Sequence, residues 1–224
     1  MDPTLHIVLL WLGFAGTHVG MSSLRVRRAL VARIGAGAFL GLYSLVAFAF
    51  FVPLVWTFFA HKHAGRWLWI VTRGPALRWS MYVGMAVALV LLIAGSIRPS
   101  PAAIVPGDPT PRGVYRLTRH PVVMAAAIFG ALHLLPNGSA TDVAFFGGFP
   151  LFALVGAWHQ DRRKLALDVP GFRAFYEATP FIPFTGRRTL QGLRELSPGA
   201  VAGGVGLTAV LRYFHPVWFG GFVG

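Results

Sequence analysis

The stretch GVYRLTRHPVVMAAAIFGALHLLPNG, residues 113–138, joins hydrogen-bonding side chains to an apolar run. Arg116, Arg119 and His120 stand at its start, and His133 lies thirteen residues after His120. Thirteen residues of α-helix, at about 100° each, leave two imidazoles roughly 140° apart around the helix and roughly 20 Å apart along it. The two histidines therefore belong to two different sites.

These two sites call for different chemistry. His120 follows a cationic side chain, Arg119, and is suited to contact a lipid headgroup, a phosphate or a carboxylate. His133 lies within apolar sequence, where an ionisable residue is costly and indicates function. A neutral imidazole there can also bond a carbonyl of a neighbouring helix. Histidines on separate helices of a membrane bundle are a usual way to hold haem, so His133 is a candidate ligand.

The eight histidines divide into two groups by position. Four lie near the ends of apolar segments, where an interfacial imidazole is ordinary: His6, His61, His63 and His215. Four lie within such segments or at their mouths: His18, His120, His133 and His159. The only acidic residues in these segments, Asp142 and Asp161, lie at segment ends, which argues against a carboxylate-bridged metal pair or a carboxylate proton relay.

The composition is that of a membrane protein. Of 224 residues, 55% are hydrophobic and only 12% are charged, whereas soluble domains carry about a quarter charged residues. The absence of cysteine excludes disulfides and thiolate metal sites. The net charge of +13 comes from basic residues between apolar runs. That pattern favours contact with membrane lipid and predicts no binding of nucleic acid.

Six apolar segments are long enough to be considered as membrane spans, which need about 20 residues. They cover residues 4–22, 35–59, 79–97, 120–137, 141–159 and 199–219. The last is interrupted by Arg212 and His215. The sequence thus predicts an all-α fold, a polytopic integral membrane helical bundle with five to six transmembrane helices. Residues 1–224 form a single membrane domain in this interpretation.

The distribution of basic residues predicts the orientation of this bundle. Fifteen of them fall in the three segments that follow the first, third and fifth spans. By the positive-inside rule these segments face the cytoplasm, and the N-terminus is periplasmic in a bacterial inner membrane. The loop at 60–78 carries four basic residues on the opposite side, Lys62, Arg66, Arg73 and Arg78. Residues 160–195 are expected to be a cytoplasmic interfacial segment that packs back onto the membrane face.

Three stretches together resemble the NnrU family, which includes the zeta-carotene isomerases. They are FAGTHVGMSSLRVRRAL at 14–30, GVYRLTRHPVVMAAAIFGALH at 113–133 and GAWHQDRRKLALDVPGFRAFYEATPFIPF at 156–184. The resemblance implies an integral membrane protein that binds haem b through two histidines. Bacterial members are associated with denitrification, and the isomerase members convert the central cis double bond of a zeta-carotene to trans.

The resemblance also implies site residues. The haem ligands fall on His18 and His133, although the predicted topology puts these histidines at different depths. His120 and His159 lie nearer to His18 in depth and are the alternative ligands. The isomerases have paired histidines in the fifth span, where this chain has one, His159, after Trp158. A polar latch for substrate or headgroup at the cytoplasmic end comprises Arg116, Arg119, His120, Trp158, Asp161, Arg162 and Arg163.

A second resemblance gives an alternative function. "RHP" followed by a span and an aromatic stretch is also similar to the isoprenylcysteine and phospholipid methyltransferases, which bind S-adenosylmethionine at the cytoplasmic end. Here Val123 stands where those enzymes have tyrosine, and their paired glutamates near 161–168 are missing. A third hypothesis is a non-enzymatic partner of a respiratory or denitrification complex. The substrate of an enzyme would be a hydrophobic polyene or isoprenoid, and the sequence leaves the oligomeric state open.

Overall fold

The computed structural model describes residues 1–72, 74–101 and 107–220, so Arg73 lies outside the described residues. Over these ranges the chain forms α-helices and one short 3₁₀ turn, Gly113–Arg116. The helices are α1 (Pro3–Ser22), α2 (Leu24–Ile34), α3 (Ala36–Ala60), α4 (Pro75–Ile97), α5 (Pro121–Leu134), α6 (Ala140–Ala166), α7 (Phe172–Ala178), α8 (Thr189–Arg194) and α9 (Pro198–Phe219). The predicted all-α class is confirmed.

Four of these helices, α1, α3, α4 and α6, are long and apolar enough to cross a membrane. The predicted span at 120–137 is shorter in the structure, because α5 has 14 residues and ends before the turn that contains Pro136, Asn137 and Gly138. The predicted span at 199–219 is the 22-residue helix α9. The fold is therefore a helical membrane bundle, in which four helices have the length and the composition of membrane spans.

The six long or apolar helices alternate in direction. Thr57 of α3 meets His6 of α1, and Tyr43 of α3 meets His18, so α1 and α3 are antiparallel. The pairs α4–α5 and α4–α9 are antiparallel by the same kind of contact, and α5 and α6 form a hairpin. We call the end that carries α2, α7 and α8 the basic end. The opposite end carries residues 61–72 and the α5–α6 turn.

The segment after α1, expected to be a loop with four arginines, is the helix α2. Only Ser23 separates it from α1, and Gly35, at φ +82°, separates it from α3. Its eleven residues are too few to span a bilayer. Its arginines alternate with apolar residues, which is the pattern of a helix that lies along a membrane surface.

Two clusters of buried side chains hold the bundle together. One joins α1, α3 and α6 through Trp11, Phe14, Leu54, Phe58 and Phe145. The other joins α4 and α5 to the basic end, where Phe172 and Phe175 of α7 are 0% and 1% exposed. In the predicted interfacial segment 160–195, residues 160–166 belong to α6, and α7 covers the rest of this core.

At the opposite end, residues 64–69 form a strap across the α5–α6 turn. Leu68 N donates to Gly138 O (2.8 Å), and Ala140 N donates to Arg66 O (2.9 Å). Trp67 and Ser139 form an isolated antiparallel bridge. The strap fixes the α5–α6 hairpin to the end of α3.

Candidate functional site

The start of α5 is fixed to α6 by one buried carboxylate. Arg119 Nε donates to Asp161 Oδ2 (2.7 Å), and His120 Nε2 donates to Asp161 Oδ1 (2.8 Å), since carboxylate oxygens only accept. Exposure of the three residues is 7%, 4% and 3% respectively. α5 begins at Pro121 because proline is well suited to the first helical position. Both oxygens of Asp161 are thus occupied by the residues that precede the helix.

Arg119 also fixes the segment after α7. Its Nη1 donates to Thr179 O (2.8 Å), and its guanidinium lies 4.2 Å from the ring centroid of Tyr176 and 5.1 Å from that of Phe181. Its backbone N–H donates to Pro180 O (2.9 Å). A guanidinium with a carboxylate on its edge and rings on its faces is held in one orientation.

A cleft of about 280 Å³ opens beside this ion pair. Its lining is Arg119, Trp158, Asp161, Arg162, Leu165, Tyr176 and Phe181. The Arg162 guanidinium lies 5.2 Å from the Trp158 ring centroid. One wall of the cleft is thus the Arg119–Asp161 ion pair, in which the charges neutralise each other. The other walls are largely aromatic. Five of the seven predicted latch residues come together here, with His120 joined through Asp161.

The other two predicted latch residues lie elsewhere. Arg116 Nε donates to Glu195 Oε2 (2.8 Å), and the same oxygen accepts from Gly113 N (2.8 Å). These bonds, the backbone one first, lower the pKa of Glu195 below its ordinary value. Arg163 follows Arg162 directly and is therefore about 100° further around α6, outside the cleft.

Arg163 shares its face of α6 with His159, one turn earlier. Arg163 Nε and His159 Nε2 are both fully buried and have no hydrogen-bond partner. His159 lies against the backbone of Ser22 at the end of α1, and Arg163 lies near Tyr43 of α3. This face of α6 therefore carries two polar atoms with unused hydrogen-bonding capacity.

His18 lies on the same α1–α6 interface, among aromatic rings. Its ring centroid is 4.6 Å from that of Tyr43, 5.0 Å from Phe14 and 5.2 Å from Phe152. Phe152 is two turns before His159 on one face of α6, and Ser22 is one turn after His18 on α1. His18 and His159 therefore line one interface, with His18 about one turn deeper in the bundle.

His133 lies on a different interface, between α5 and α6. Its Nδ1 donates to Phe129 O (2.8 Å), and its ring stacks on Phe146 with centroids 4.9 Å apart. Phe146 and Phe152 are six residues apart, which is about 9 Å along α6 and about 120° around it. His18 and His133 therefore lie on different interfaces of α6, whereas His18 and His159 lie on the same one.

A cluster of rings fills the space between α1, α3 and α6. We call Trp11, Phe14, Phe51, Phe149 and Phe152 the aromatic cluster. Trp11 touches Phe14, Phe149 and Phe152 with centroids 5.1–6.2 Å apart. Its indole Nε1 donates to Phe145 O (3.1 Å), so the one polar atom of that ring is satisfied. The cluster ends toward the basic end at His18.

The opposite end holds a buried polar group that the sequence interpretation treated as ordinary. His63 Nδ1 donates to Asp142 Oδ2 (2.8 Å), which also accepts from Ser139 Oγ (2.7 Å). Asp142 and Ser139 are both 0% exposed. A signal was available, because serine followed three residues later by an acidic residue marks a helix N-terminus. The long-range partner, His63, has no such signal in the sequence.

No three histidine, aspartate or glutamate side chains converge on a metal position within the described part of the chain. A haem needs only two protein ligands, so this observation leaves the cofactor open.

Fold and site together define an integral membrane bundle with a buried Arg–Asp–His junction at one end and histidines at an aromatic core. A family model, NnrU protein, matches residues 6–222, and the chain belongs to the NnrU family. The chain is also similar to two curated proteins named 15-cis-zeta-carotene isomerase, chloroplastic. The one from Arabidopsis thaliana is 26% identical over 187 residues, which are 82% of this chain and 50% of the relative. The one from Zea mays is 26% identical over 181 residues, which are 80% of this chain and 49% of the relative.

The chain therefore spans about half the length of these relatives. No solved structure matches it.

Proposed function

We propose that this chain is a membrane-embedded cis–trans isomerase of a long conjugated polyene, similar in chemistry to a 15-cis-zeta-carotene. The observation that carries the proposal is the similarity to two such isomerases over 82% and 80% of the chain, within a family match from residue 6 to residue 222. Both the activity and the substrate are proposals, since the relatives are about twice as long. We place the chain in a bacterial inner membrane.

The aromatic cluster supports an apolar planar substrate. Aromatic rings have large apolar faces and favour stacked or edge contacts with other π systems. Trp11 and Phe152 present such rings at the interface of α1 and α6, within membrane-spanning helices. Rotation about a double bond adds and removes no atoms. The chain's residues then need only bind the polyene, exclude water and hold the bond that rotates.

We infer that haem b, which the family resemblance implies, is held by His18 and His159 rather than by His18 and His133. His159 was the alternative ligand in the sequence interpretation. His18 and His159 line one interface, and His159 Nε2 is buried without a partner. The contact of His159 with the Ser22 backbone leaves that nitrogen free to bind iron, which is a common arrangement for ligating histidines. When bound, the haem would supply the electronic influence that lowers the rotational barrier without net redox change.

The Arg119–Asp161–His120 junction has a positioning role in this proposal. It fixes the start of α5 against the end of α6 that carries His159. The adjacent cleft, with Trp158 and Arg162 at its rim, is the substrate-side latch that closes the basic end.

The direct test is isomerisation by the purified chain in proteoliposomes. With haem supplied, dithionite added and air excluded, the chain should convert 15-cis-zeta-carotene to the isomer with a trans central bond, as separated by chromatography. Conversion no faster than with heat-denatured protein would contradict the proposal. Calorimetry with S-adenosylmethionine is the parallel test, because micromolar affinity would favour the methyltransferase alternative.

A further inference from the structure

The end of α6 brings several cationic side chains close together. Arg27 of α2 lies within electrostatic range of Arg163, and both lie within electrostatic range of Lys164. Of the ion pairs formed by the described residues, none includes Arg27 or Arg163. Positive charges that lie close together at the edge of a membrane repel each other, and an anion bound between them offsets this repulsion.

Three of the acidic residues are held by other partners. Asp161 faces the other side of α6 and is saturated by Arg119 and His120. Glu195 pairs with Arg116, and Asp142 lies at the opposite end of the bundle. The chain has only 7 acidic residues against 20 basic ones. Asp168 and Glu177, which also lie at the basic end, form no ion pair with Arg27 or Arg163 among the described residues, so an anion from outside the chain would supply the counter-charge.

Arg163 itself indicates where such an anion would bind. Its Nε is fully buried and makes no hydrogen bond, so a strong donor is left unused. A buried unsatisfied donor costs about 1–3 kcal/mol, and more when the group is charged. The Arg27 guanidinium lies 5.5 Å from the ring centroid of Phe39, which fixes it near the α2–α3 connection. Phe39 in turn contacts Tyr43, with ring centroids 5.9 Å apart, and Arg163 lies near Tyr43, so the two guanidinium groups flank the same pair of rings.

We propose that Arg163 and Arg27 form a binding site for the phosphate of an anionic phospholipid. The position favours a lipid over a soluble phosphate. α1 and α6 are membrane-spanning, and the site lies where both end, at the level of the headgroups. The basic helix α2 beside it would attract anionic lipid of the cytoplasmic leaflet. Guanidinium is the side chain best matched to phosphate, since it donates two parallel hydrogen bonds.

Native mass spectrometry of the detergent-purified full chain tests this site. The probes are phosphatidylglycerol and phosphatidylcholine with identical acyl chains. We expect preferential retention of phosphatidylglycerol, and an Arg163→Gln variant should lose about tenfold in affinity for it, the effect of one charged hydrogen bond. The matched control is Arg162→Gln, which removes the adjacent charge but faces Trp158 on the other side of α6. It should retain the lipid as the wild type does.

Three results would overturn the proposal. Equal loss in both variants would mean a general surface charge, and displacement of the lipid by millimolar inorganic phosphate would mean a soluble anion. Loss of bound haem from Arg163→Gln, with lipid retention unchanged, would assign the guanidinium to a carboxylate of the cofactor. An Arg163→Lys variant keeps the charge and should recover part of the retention, which separates lipid binding from misfolding. The haem spectrum of the wild type is independent of these results, so this site and the proposed function can fail separately.

Discussion

At the scale of single residues, the carboxylate of Asp161 accepts hydrogen bonds from two side chains where little water reaches. A buried ion pair adds little over apolar packing, but loss of one partner leaves an uncompensated charge. Asp161 is 3% exposed, and its partner Arg119 is 7% exposed. The stability of the basic end should therefore depend strongly on this residue.

Asp161→Asn should reduce the free energy of unfolding by about 3 kcal/mol, because Arg119 would remain buried without its counter-charge. Denaturant titration in detergent, followed by tryptophan fluorescence, measures the change. The matched control is Asp108→Asn, whose ion pair with Arg112 is 53% exposed on both sides. That variant should lose far less stability, because an exposed ion pair contributes little. Equal losses in the two variants would contradict the structural role of Asp161.

Glu195 predicts a pH dependence with a definite sign. Its pKa in the folded chain is lowered, so its contribution to stability is full above its unfolded pKa and is lost as pH falls through the folded pKa. The melting temperature of the wild type should therefore fall as pH decreases from 5 to 3. In Glu195→Gln the part of that decrease due to this group should disappear. An identical pH profile in the variant would show that the bonds from Gly113 and Arg116 add no stability.

The residues of the basic end illustrate what the sequence predicts. The types and spacing of Arg119, His120 and Asp161 identify them as a polar group at the end of a span. Their mutual pairing depends on how α5 lies against α6, which hydropathy does not encode. The same limit applies to the histidines. Helix geometry alone shows that His120 and His133 belong to different sites. Only the packing of α1 on α6 shows that His159, and not His133, shares an interface with His18.

At the scale of elements, the contact between α1 and α6 positions the aromatic cluster. Gly148 lets the Trp11 indole lie flat against α6, since a Cβ built there would be 2.1 Å from an indole carbon. Gly147, the adjacent residue, has open space within 4 Å. Small residues at such positions allow close approach of membrane helices. These two glycines are a matched pair for testing the contact.

Gly148→Ala should destabilise the chain by about 1–3 kcal/mol, the range for overpacking a well-filled core. Gly147→Ala should be neutral or slightly stabilising, since alanine is the better helix former. Thermal unfolding in detergent separates the two. If Gly148→Ala were as stable as Gly147→Ala, the indole would not pack on α6 as described.

Element boundaries show where prediction from sequence succeeds. The six apolar segments all correspond to helices, because hydrophobic length is a strong signal. α2 is not predicted, since eleven residues with four arginines resemble a basic loop when only span length is considered. α5 is shorter than expected because the turn at Pro136–Gly138 and the strap over it end the helix early.

At the scale of the whole molecule, alternating helix directions place α2, α7 and α8 at one end. This end holds the fifteen basic residues that predict a cytoplasmic location. The opposite end carries the His63–Asp142 pair, of which the carboxylate is buried. The orientation of the bundle in the membrane remains a prediction from the positive-inside rule.

Single cysteines test that orientation cleanly, because the sequence contains no cysteine. In intact cells with a permeable outer membrane, Asn137→Cys should react with a membrane-impermeant maleimide. Arg28→Cys, in α2, should react only after the inner membrane is opened. The reverse pattern would invert the topology and would place Arg163 and Arg27 away from the cytoplasmic leaflet.

The most direct measurement is the absorption spectrum of the purified chain, oxidised and reduced, after expression with ample haem. The proposal predicts the Soret band of a haem held by histidine. That spectrum should be lost in His18→Ala and His159→Ala and retained in His133→Ala. Absence of a Soret band from the wild type would contradict the cofactor. Retention in His159→Ala with loss in His133→Ala would contradict the assignment of the ligand pair to the interface of α1 and α6.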